Sequence, residues 1–517
     1  MLAKIYSGTM LGLQGKPVEV EVDLAKKGFP SFKIVGLPDK AVNEARDRVR
    51  SALLNSNIDF PKYRLTVNLA PANLPKEGSA FDLPIAVGIM LASGQLPPTQ
   101  ELKKSIFVGE LSLEGCLRKT AGILPLTLWA KSRGFKQIFL PAVNAKEASI
   151  VKGINILPLE TLAQLVYHFQ ALKTISPHPP TEIKDLIEQP SSKIDFDSIK
   201  GQEQAKRALI IAAAGGHNVF MIGPPGSGKT LLARALPSIL PRLTEDEALE
   251  VTQIYSISGN LPSRKSLITR RPFRSPHHTT SRIGLIGGGS KPQPGEISLA
   301  HRGVLFLDEF PEYARHVLES LRQPMEDGEV TISRAAASLT FPAKFMLVAA
   351  ANPCPCGYLN SKQKKCSCLP AQINRYQKRI SGPILDRIDI HLHVPEVASQ
   401  KILPSKRKTT APEGLTTKKA RTLVQKARDV QFMRFKDYPH LTCNAEIGPK
   451  EIERFCQLED SARQLLQQAY TRYHLTARGY HKVIKVARTI ADLSQDKLIS
   501  ADAVSEALRY RRREWSI

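Results

Sequence analysis

Three short stretches of this 517-residue chain carry residues whose types and spacing could do chemistry. The first is Gly223-Pro224-Pro225-Gly226-Ser227-Gly228-Lys229-Thr230. Its glycines let successive main-chain N–H groups turn inward on an anion, at the positive end of the helix expected to follow. In such a loop Lys229 reaches the β- and γ-phosphates of a nucleotide and the Thr230 hydroxyl holds Mg²⁺. The second is Asp308-Glu309, directly after the apolar run Val304-Leu305-Phe306-Leu307. Asp308 can organise the Mg²⁺ shell, and Glu309 can polarise a water for attack on phosphorus. Together the two motifs predict a site for ATP and Mg²⁺. The third is Cys354-Pro355-Cys356 with Cys366-Ser367-Cys368, in a polar, lysine-rich loop at 353–369. Four thiolates so close in sequence can surround Zn²⁺ tetrahedrally. Paired C-x-C spacing is less common than C-x₂-C, and a reduced, metal-free loop is the alternative. A polar loop of this kind is expected at the periphery, serving a macromolecular partner more than the nucleotide. Cys116, Cys443 and Cys456 are scattered and read as ordinary core residues.

These residues need elements to hold them. Val219-Phe220-Met221-Ile222 reads as a buried strand, and Leu231-Leu232-Ala233-Arg234-Ala235-Leu236 has helical periodicity, so the glycine-rich loop joins strand to helix. Val304 to Leu307 reads as a second buried parallel strand, which puts its two carboxylates at the carboxyl edge of an open α/β sheet, where ligands bind. A third apolar run ends in Asn352-Pro353. Beyond residue 420 the chain reads as helices, at 418–435, 460–473, 477–493 and 501–511, each with an apolar stripe. Residues 1–170 read as α+β, with strands at 18–22 and 64–69 and a helix at 41–55. Proline- and serine-rich linker composition marks 171–195, and a basic, proline-bearing stretch marks 399–419. The expected organisation is thus a domain at 1–170, an α/β core at 196–398 and a helical domain at 420–517.

Composition bounds the class. A hydrophobic fraction of 42% and a charged fraction of 23% suit a globular protein, and no apolar run approaches the ~20 residues of a membrane span. Seven cysteines, four of them crowded together, do not form a secreted disulfide pattern, and the N-terminus lacks the features of a signal peptide. A cytoplasmic protein is expected, with no membrane partner. The formal net charge of +25 favours a polyanionic partner. No Asp or Glu occurs between Glu250 and Glu296, or between Glu329 and Asp386, although both spans are rich in Arg and Lys. Basic, aromatic-poor loops suit phosphate contact without base reading; a solvated positive face is the alternative.

The series Phe196-Asp197-Ser198-Ile199-Lys200-Gly201-Gln202, the phosphate loop, Asp308-Glu309 and Asn352 resembles the AAA+ ATPases in order. That resemblance makes Asn352 the sensor 1 residue that helps to place the water. Pro383-Ile384-Leu385-Asp386-Arg387-Ile388-Asp389 resembles the finger segment of magnesium chelatases and MCM helicases. It implies that Arg387 enters a neighbouring subunit's site and stabilises charge on the transferring phosphoryl group; pairing with Asp386 or Asp389 is the alternative. Thr476-Ala477-Arg478-Gly479-Tyr480 resembles sensor 2, with Arg478 in that role. In the same branch, 284–290 corresponds to a mobile insert and 330–340 to a hairpin with Arg334 near its tip. Arg334, Lys362, Lys364 and Lys365 are then the candidate DNA contacts.

Residues 1–170, through Pro71-Ala72-Asn73-Leu74-Pro75-Lys76-Glu77-Gly78-Ser79 and Phe107-Val108-Gly109-Glu110, resemble the proteolytic domain of Lon proteases. Lon uses a Ser–Lys dyad. Ser79 stands near the serine position, but the lysine position holds Leu124, which cannot act as a base; Lys119 is the nearest substitute. The implied fold class is multidomain α/β: a Lon-protease-like α+β domain without the protease dyad, an AAA+ phosphate-loop α/β core, and a C-terminal α-helical lid.

All three blocks, with Ile34-Val35-Gly36-Leu37-Pro38-Asp39 and the cysteine-bearing loop, resemble the bacterial ComM/YifB family of magnesium-chelatase-like AAA+ proteins. The resemblance implies a homo-hexameric ATPase acting on single-stranded, forked or branched DNA, in branch migration during natural transformation, with recombination proteins as candidate partners. The other readings are a chelatase motor subunit that serves a porphyrin through a partner, a Lon-like protease disfavoured by Leu124, and a slow nucleotide-gated scaffold.

Overall fold

Residues 2–25, 29–76, 78–190, 192, 194–262, 265–289, 292–333, 338–361, 364–396 and 416–511 are described by the structure, a computed structural model. Of the expected DNA contacts, Arg334 and Lys362 lie outside the described residues, as does most of the 399–419 linker. The chain divides into two compact units, Met1–Leu186 with Ala248–Ile268, and Ile187–Glu247 with Thr269–Ile517.

In the first unit, apolar residues at alternate positions build a four-stranded sheet, because the side-chain period of a strand is two. Its order is Leu2–Leu11, Gln14–Ala25, Arg64–Ala70, Ser31–Val35. The pairs are antiparallel except the last, which is parallel. Val18, Val20, Val22, Leu65, Val67 and Leu69 are fully buried along it. The helix Asp82–Ala92 is buried at every residue, as its all-round apolar sequence requires. Its one acid, Asp82, accepts from Arg48 Nε at 2.8 Å and Nη2 at 3.0 Å. Burial nonetheless pushes that carboxyl up to about 6, with Arg48 opposing. A second, parallel sheet holds Ser105–Phe107, Gln137–Pro141 and Asn155–Leu159. The helix expected at 41–55 is two helices, Lys40–Asn43 and Ala45–Asn55, the first capped by the Asp39 carboxylate on Val42 N–H at 2.8 Å.

The second unit is built on a five-stranded parallel sheet in the order Phe273–Arg274, Val304–Leu307, Met346–Ala351, Val219–Ile222, Ile390–His393. Val219–Ile222 and Val304–Leu307 are almost wholly buried, which is why they read as continuous apolar runs. The helices Glu203–Gly215, Thr417–Arg434, Asp460–Arg472, Ala477–Ser494 and Ala501–Arg509 share one core with the sheet, through Leu209, Met221, Val348, Val424, Leu466, Ile484 and Val504. The four expected C-terminal helices match these bounds to within two residues. An additional helix, Pro449–Phe455, starts on a proline and is too short to show an apolar stripe in sequence.

The expected hairpin is present as Glu329–Ser333 paired with Ser338–Pro342, its tip lying outside the described residues. The glycine-rich stretch before it forms the helix Arg282–Ile286 and a Gly287–Gly288 pairing with Gln293–Pro294. Gly287 is required there. Its φ is +105°, and a β-carbon would meet Gln293 O at 2.4 Å. Among the described residues, no helix is long and apolar enough to cross a membrane.

Candidate functional site

The strand Val219–Ile222 lies between Met346–Ala351 and Ile390–His393. The order of the parallel strands reverses at this point, and the crevice beyond their carboxyl ends is where α/β sheets bind ligands. Gly223 to Thr230 leave the strand there and enter the helix Lys229–Ala235. Gly226 and Gly228 sit at φ +76° and +92° with open space where a β-carbon would be, so backbone conformation calls for glycine at both. Gly223 is glycine for space, since a β-carbon would lie 2.2 Å from Val394 O.

Lys229 is buried, and its Nζ donates to Gly223 O at 2.7 Å, Pro224 O at 2.9 Å and Asn352 Oδ1 at 3.2 Å. All three acceptors are neutral. Burial therefore lowers the ammonium to about 8, with Asp308 opposing. A desolvated cation on neutral acceptors fits an incoming phosphate, whose anionic oxygens bind it more strongly. Thr230 Oγ1 donates to Asp308 Oδ2 at 2.7 Å, so the two groups expected to hold Mg²⁺ meet directly. Hard oxygen donors of this kind suit Mg²⁺.

Glu309 follows Asp308 in left-handed backbone, φ 50° and ψ 44°, and donates its N–H to Asp308 Oδ1 at 3.0 Å. That conformation is strained for a glutamate, and it sets Glu309 more than half exposed. His278 Nδ1 lies 3.4 Å from Glu309 Oε2, and Tyr313, whose hydroxyl donates to Pro276 O at 2.7 Å, has its phenol pushed up by burial beside Asp308 and Glu309. Neither residue was singled out by motif. The available signal was the pair His277-His278 inside the acid-free run.

Arg387 and Arg478 are not brought to this edge. Arg387 precedes the strand Ile390–His393, which runs parallel to Val219–Ile222, so it stands at the amino end of the sheet. Its Nη2 lies 2.7 Å from Glu326 Oε1, where Arg478 Nη2 also arrives at 3.1 Å. Neither Asp386 nor Asp389 takes Arg387. Asp389 is held instead by Lys482 and by Asn218 N–H at 2.8 Å. Arg387 Nε is buried without a partner among the described residues. Both arginines line a cavity of about 580 Å³ to which no phosphate-loop residue contributes. Glu326 carried no signal in the sequence.

The four cysteines converge. Cys354 Sγ is 3.4 Å from Cys356 Sγ and 3.7 Å from Cys366 Sγ, and the last two are 3.5 Å apart. All four sulfurs lie within 4.8 Å of one another. A tetrahedron with Zn–S bonds near 2.3 Å has edges of about 3.8 Å, so the donor set fits zinc. The loop is not peripheral as expected: a β-carbon on Gly357 would strike the ring of Pro225 in the phosphate loop, at 2.5 Å from Cδ. Lys364 and Lys365 are exposed on the same loop, Lys364 Nζ lying 5.2 Å from the centre of the Tyr358 ring. Arg315, Arg375, Lys378 and Arg379 line an open cavity of about 730 Å³ beyond Glu312.

In the first unit, the Ser79 hydroxyl bonds to the Glu110 carboxylate, and Lys119 Nζ donates to Leu261 O at 3.0 Å. Leu124 is buried in the helix Ile123–Ser132.

Family models match in three consecutive blocks: Subunit ChlI of Mg-chelatase at 20–144, Magnesium chelatase, subunit ChlI at 195–402, and Magnesium chelatase, subunit ChlI C-terminal at 414–511. With the parallel sheet, its phosphate loop and the C-terminal helices, these matches define a magnesium-chelatase-like AAA+ ATPase. Competence protein ComM of Haemophilus influenzae is 45% identical over 512 residues, 99% of this chain and 97% of that protein. YifB of Escherichia coli is 40% identical over 514 residues, with the same coverage. The chain belongs to the ComM/YifB family of magnesium-chelatase-like proteins. The magnesium-chelatase 38 kDa subunit of Cereibacter sphaeroides is 28% identical over 177 residues, 31% of this chain and 52% of that subunit.

Proposed function

We propose that this chain is the ATP-hydrolysing subunit of a ring, read as a homo-hexamer, that moves or rearranges DNA. The observation that carries the ring is the placement of Arg387 and Arg478 at the sheet edge opposite the phosphate loop. Arginines so placed cannot serve their own subunit's site, whereas a neighbour's site can receive them. Bound Mg-ATP supplies the phosphoanhydride to be cleaved and a Lewis acid beside it. Lys229 exchanges its neutral acceptors for phosphate oxygens. Thr230 and Asp308 hold the metal side of the site, Glu309 draws the proton from the attacking water, and Asn352 orients that water. Arg387 and Arg478 from the adjacent subunit neutralise charge as it moves onto the transferring group.

Zn²⁺ is assigned to Cys354, Cys356, Cys366 and Cys368 on the fit of their sulfurs. The first unit is read as a Lon-like domain without Lon chemistry, supported by Leu124 and by the Ser79–Glu110 bond. The three sequence blocks are taken as a domain at 1–170, the ATPase core at 196–398 and a helical lid at 420–517, in a cytoplasmic protein.

DNA as the partner is supported by end-to-end similarity to a competence protein, by the +25 charge, by exposed Lys364 and Lys365, and by the basic wall of the cavity lined by Arg315, Arg375, Lys378 and Arg379. A role in branch migration during natural transformation follows from the same similarity, with recombination proteins as partners. The chelatase reading draws on the three chelatase family models and on a relative that aligns with 31% of the chain. The test supplies forked or branched DNA with Mg-ATP and scores strand rearrangement beside a Lys229→Ala control. Binding should weaken steeply with salt, and neutralising Lys364 and Lys365 should lower the salt slope by roughly one for each phosphate they had paired with. ATP turnover with no binding or movement of DNA at low salt would sink the DNA reading and leave the chelatase one.

A further inference from the structure

The four-cysteine loop does more than neighbour the nucleotide site; it is wedged against it. Asn352, Pro353 and Cys354 are consecutive, so the first thiol is two residues from the side chain that accepts from Lys229 Nζ at 3.2 Å. Gly357, the residue after Cys356, lies on Pro225: a β-carbon there would be 2.5 Å from Cδ and 2.6 Å from Cγ, and 3.8 Å from Asn352 Cγ. Its φ is +83°, and its N–H donates to Cys354 O at 2.9 Å. On the other side, Cys366 and Cys368 lead into the helix Pro370–Gln377, whose Gln377 Nε2 returns to Pro353 O at 3.1 Å. Main-chain amides are aimed at the sulfurs: Cys356 N–H at Cys368 Sγ over 3.4 Å and Cys368 N–H at Cys366 Sγ over 3.5 Å. Donors arranged around thiols in this way favour metal-bound thiolates.

Apart from its four thiols the segment 354–368 is mainly polar, so apolar burial contributes little to holding it. In such segments metal binding is folding free energy. We propose that the centre is a metal-dependent buttress of the phosphate-binding loop. Zn²⁺ on Cys354, Cys356, Cys366 and Cys368 keeps Gly357 against Pro225 and Asn352 within reach of Lys229, so nucleotide affinity depends on metal occupancy. The inference rests on the assignment of zinc to these thiols and adds what the zinc does.

The experiment measures zinc by elemental analysis in full-length protein purified without chelator, and the affinity for a fluorescent ATP analogue before and after metal is stripped and restored. About one zinc per chain is expected, with affinity falling by about tenfold or more on stripping and returning with added Zn²⁺. Gly357→Ala keeps all four thiols. It should retain zinc yet bind the analogue several-fold more weakly, because the added methyl displaces Pro225. A protein that neither contains nor takes up zinc overturns the metal assignment and the buttress together. Zinc present but removable with unchanged affinity overturns the buttress alone. If stripping unfolds the chain, Gly357→Ala decides: zinc-loaded and weaker upholds the proposal, zinc-loaded and unaltered refutes it.

Discussion

At the carboxyl edge of the parallel sheet, Lys229 is bonded to Asn352 and Thr230 to Asp308, and among the described residues the buried lysine has only neutral acceptors. At the amino edge of the same sheet, Arg387 and Arg478 share a carboxylate of their own unit, Glu326. At the first edge the lysine's own acceptors carry no charge, so its ammonium is prepared for an anion. The second edge holds a pair of cations sharing one carboxylate, which must give up Glu326 for another anion in order to act elsewhere. Such an exchange is unfavourable in a lone subunit and becomes favourable only when an adjacent site offers more charge than one carboxylate. Turnover should therefore be a property of the interface, while nucleotide binding belongs to one chain.

The sharpest way to break this contrast is Arg387→Ala. Nucleotide binding should persist while turnover falls by roughly 10⁴-fold, within the range of a lost arginine finger. Mixing that variant with Lys229→Ala should restore part of the activity, at interfaces combining one intact loop with one intact arginine. A dilute monomer as fast as the assembled form would remove the trans role. The next test stays within the carboxyl edge. Glu309→Gln should bind ATP and hydrolyse it roughly 10³-fold more slowly, since the amide cannot take a proton, whereas Lys229→Ala loses binding as well. Unimpaired steady-state turnover in Glu309→Gln would take that residue out of the role of base.

The smallest effect concerns the rigidity of the amino edge. His217 is fully buried there, donating or accepting at Thr489 Oγ1 over 2.8 Å, with Asp389 3.9 Å from its Nδ1 and Lys482, Lys485 and Arg428 nearby. Burial lowers the imidazole from 6.5 to about 4, with the three cations adding to that and Asp389 opposing it. The native state thus holds His217 neutral while the unfolded chain protonates it. Its stabilisation is complete above pH 6.5 and declines as pH falls towards 4, a loss of about 3 kcal/mol. Asp389, lowered to about 2 mainly by Lys482 against the effect of burial, adds a further loss only below pH 3.8. Denaturant titrations between about pH 7 and 5 should show this slope in the wild type and less of it in His217→Gln. Equal slopes would mean that His217 is not the group responsible.

In the first unit a motif is present without its expected partner. Ser79 keeps a motif-like setting, yet its hydroxyl is taken by Glu110 and Lys119 is spent on the Leu261 carbonyl. The lysine that a Ser–Lys dyad would need on that hydroxyl is therefore not Lys119. In the phosphate loop, by contrast, Lys229 and Thr230 have their partners at hydrogen-bond distance. Both stretches were legible as motifs, and only one of them assembles a working set of donors and acceptors. His278 and Glu326 were invisible for the opposite reason. Each matters through a residue distant in the chain, Glu309 in one case and Arg387 with Arg478 in the other, and no local spacing encodes such a meeting.

The features legible in the chain before folding are local. Glycines at positive φ, four-residue apolar strands ending in acids, and helical stripes are consequences of backbone sterics and burial over a few residues, so the phosphate loop, Asp308-Glu309, the C-terminal helices and the four-thiol cluster could be read before folding. Tertiary structure alone decided which edge of the sheet each charge occupies. Strand order and direction put Arg387 opposite the loop it resembles a partner for. The absence of a side chain at Gly357 lets the cysteine loop close on Pro225, so a stretch that reads as peripheral is packed against the nucleotide site. Both outcomes depend on contacts between residues far apart in the chain, set by how one surface packs on another, and spacing along a sequence carries no measure of that.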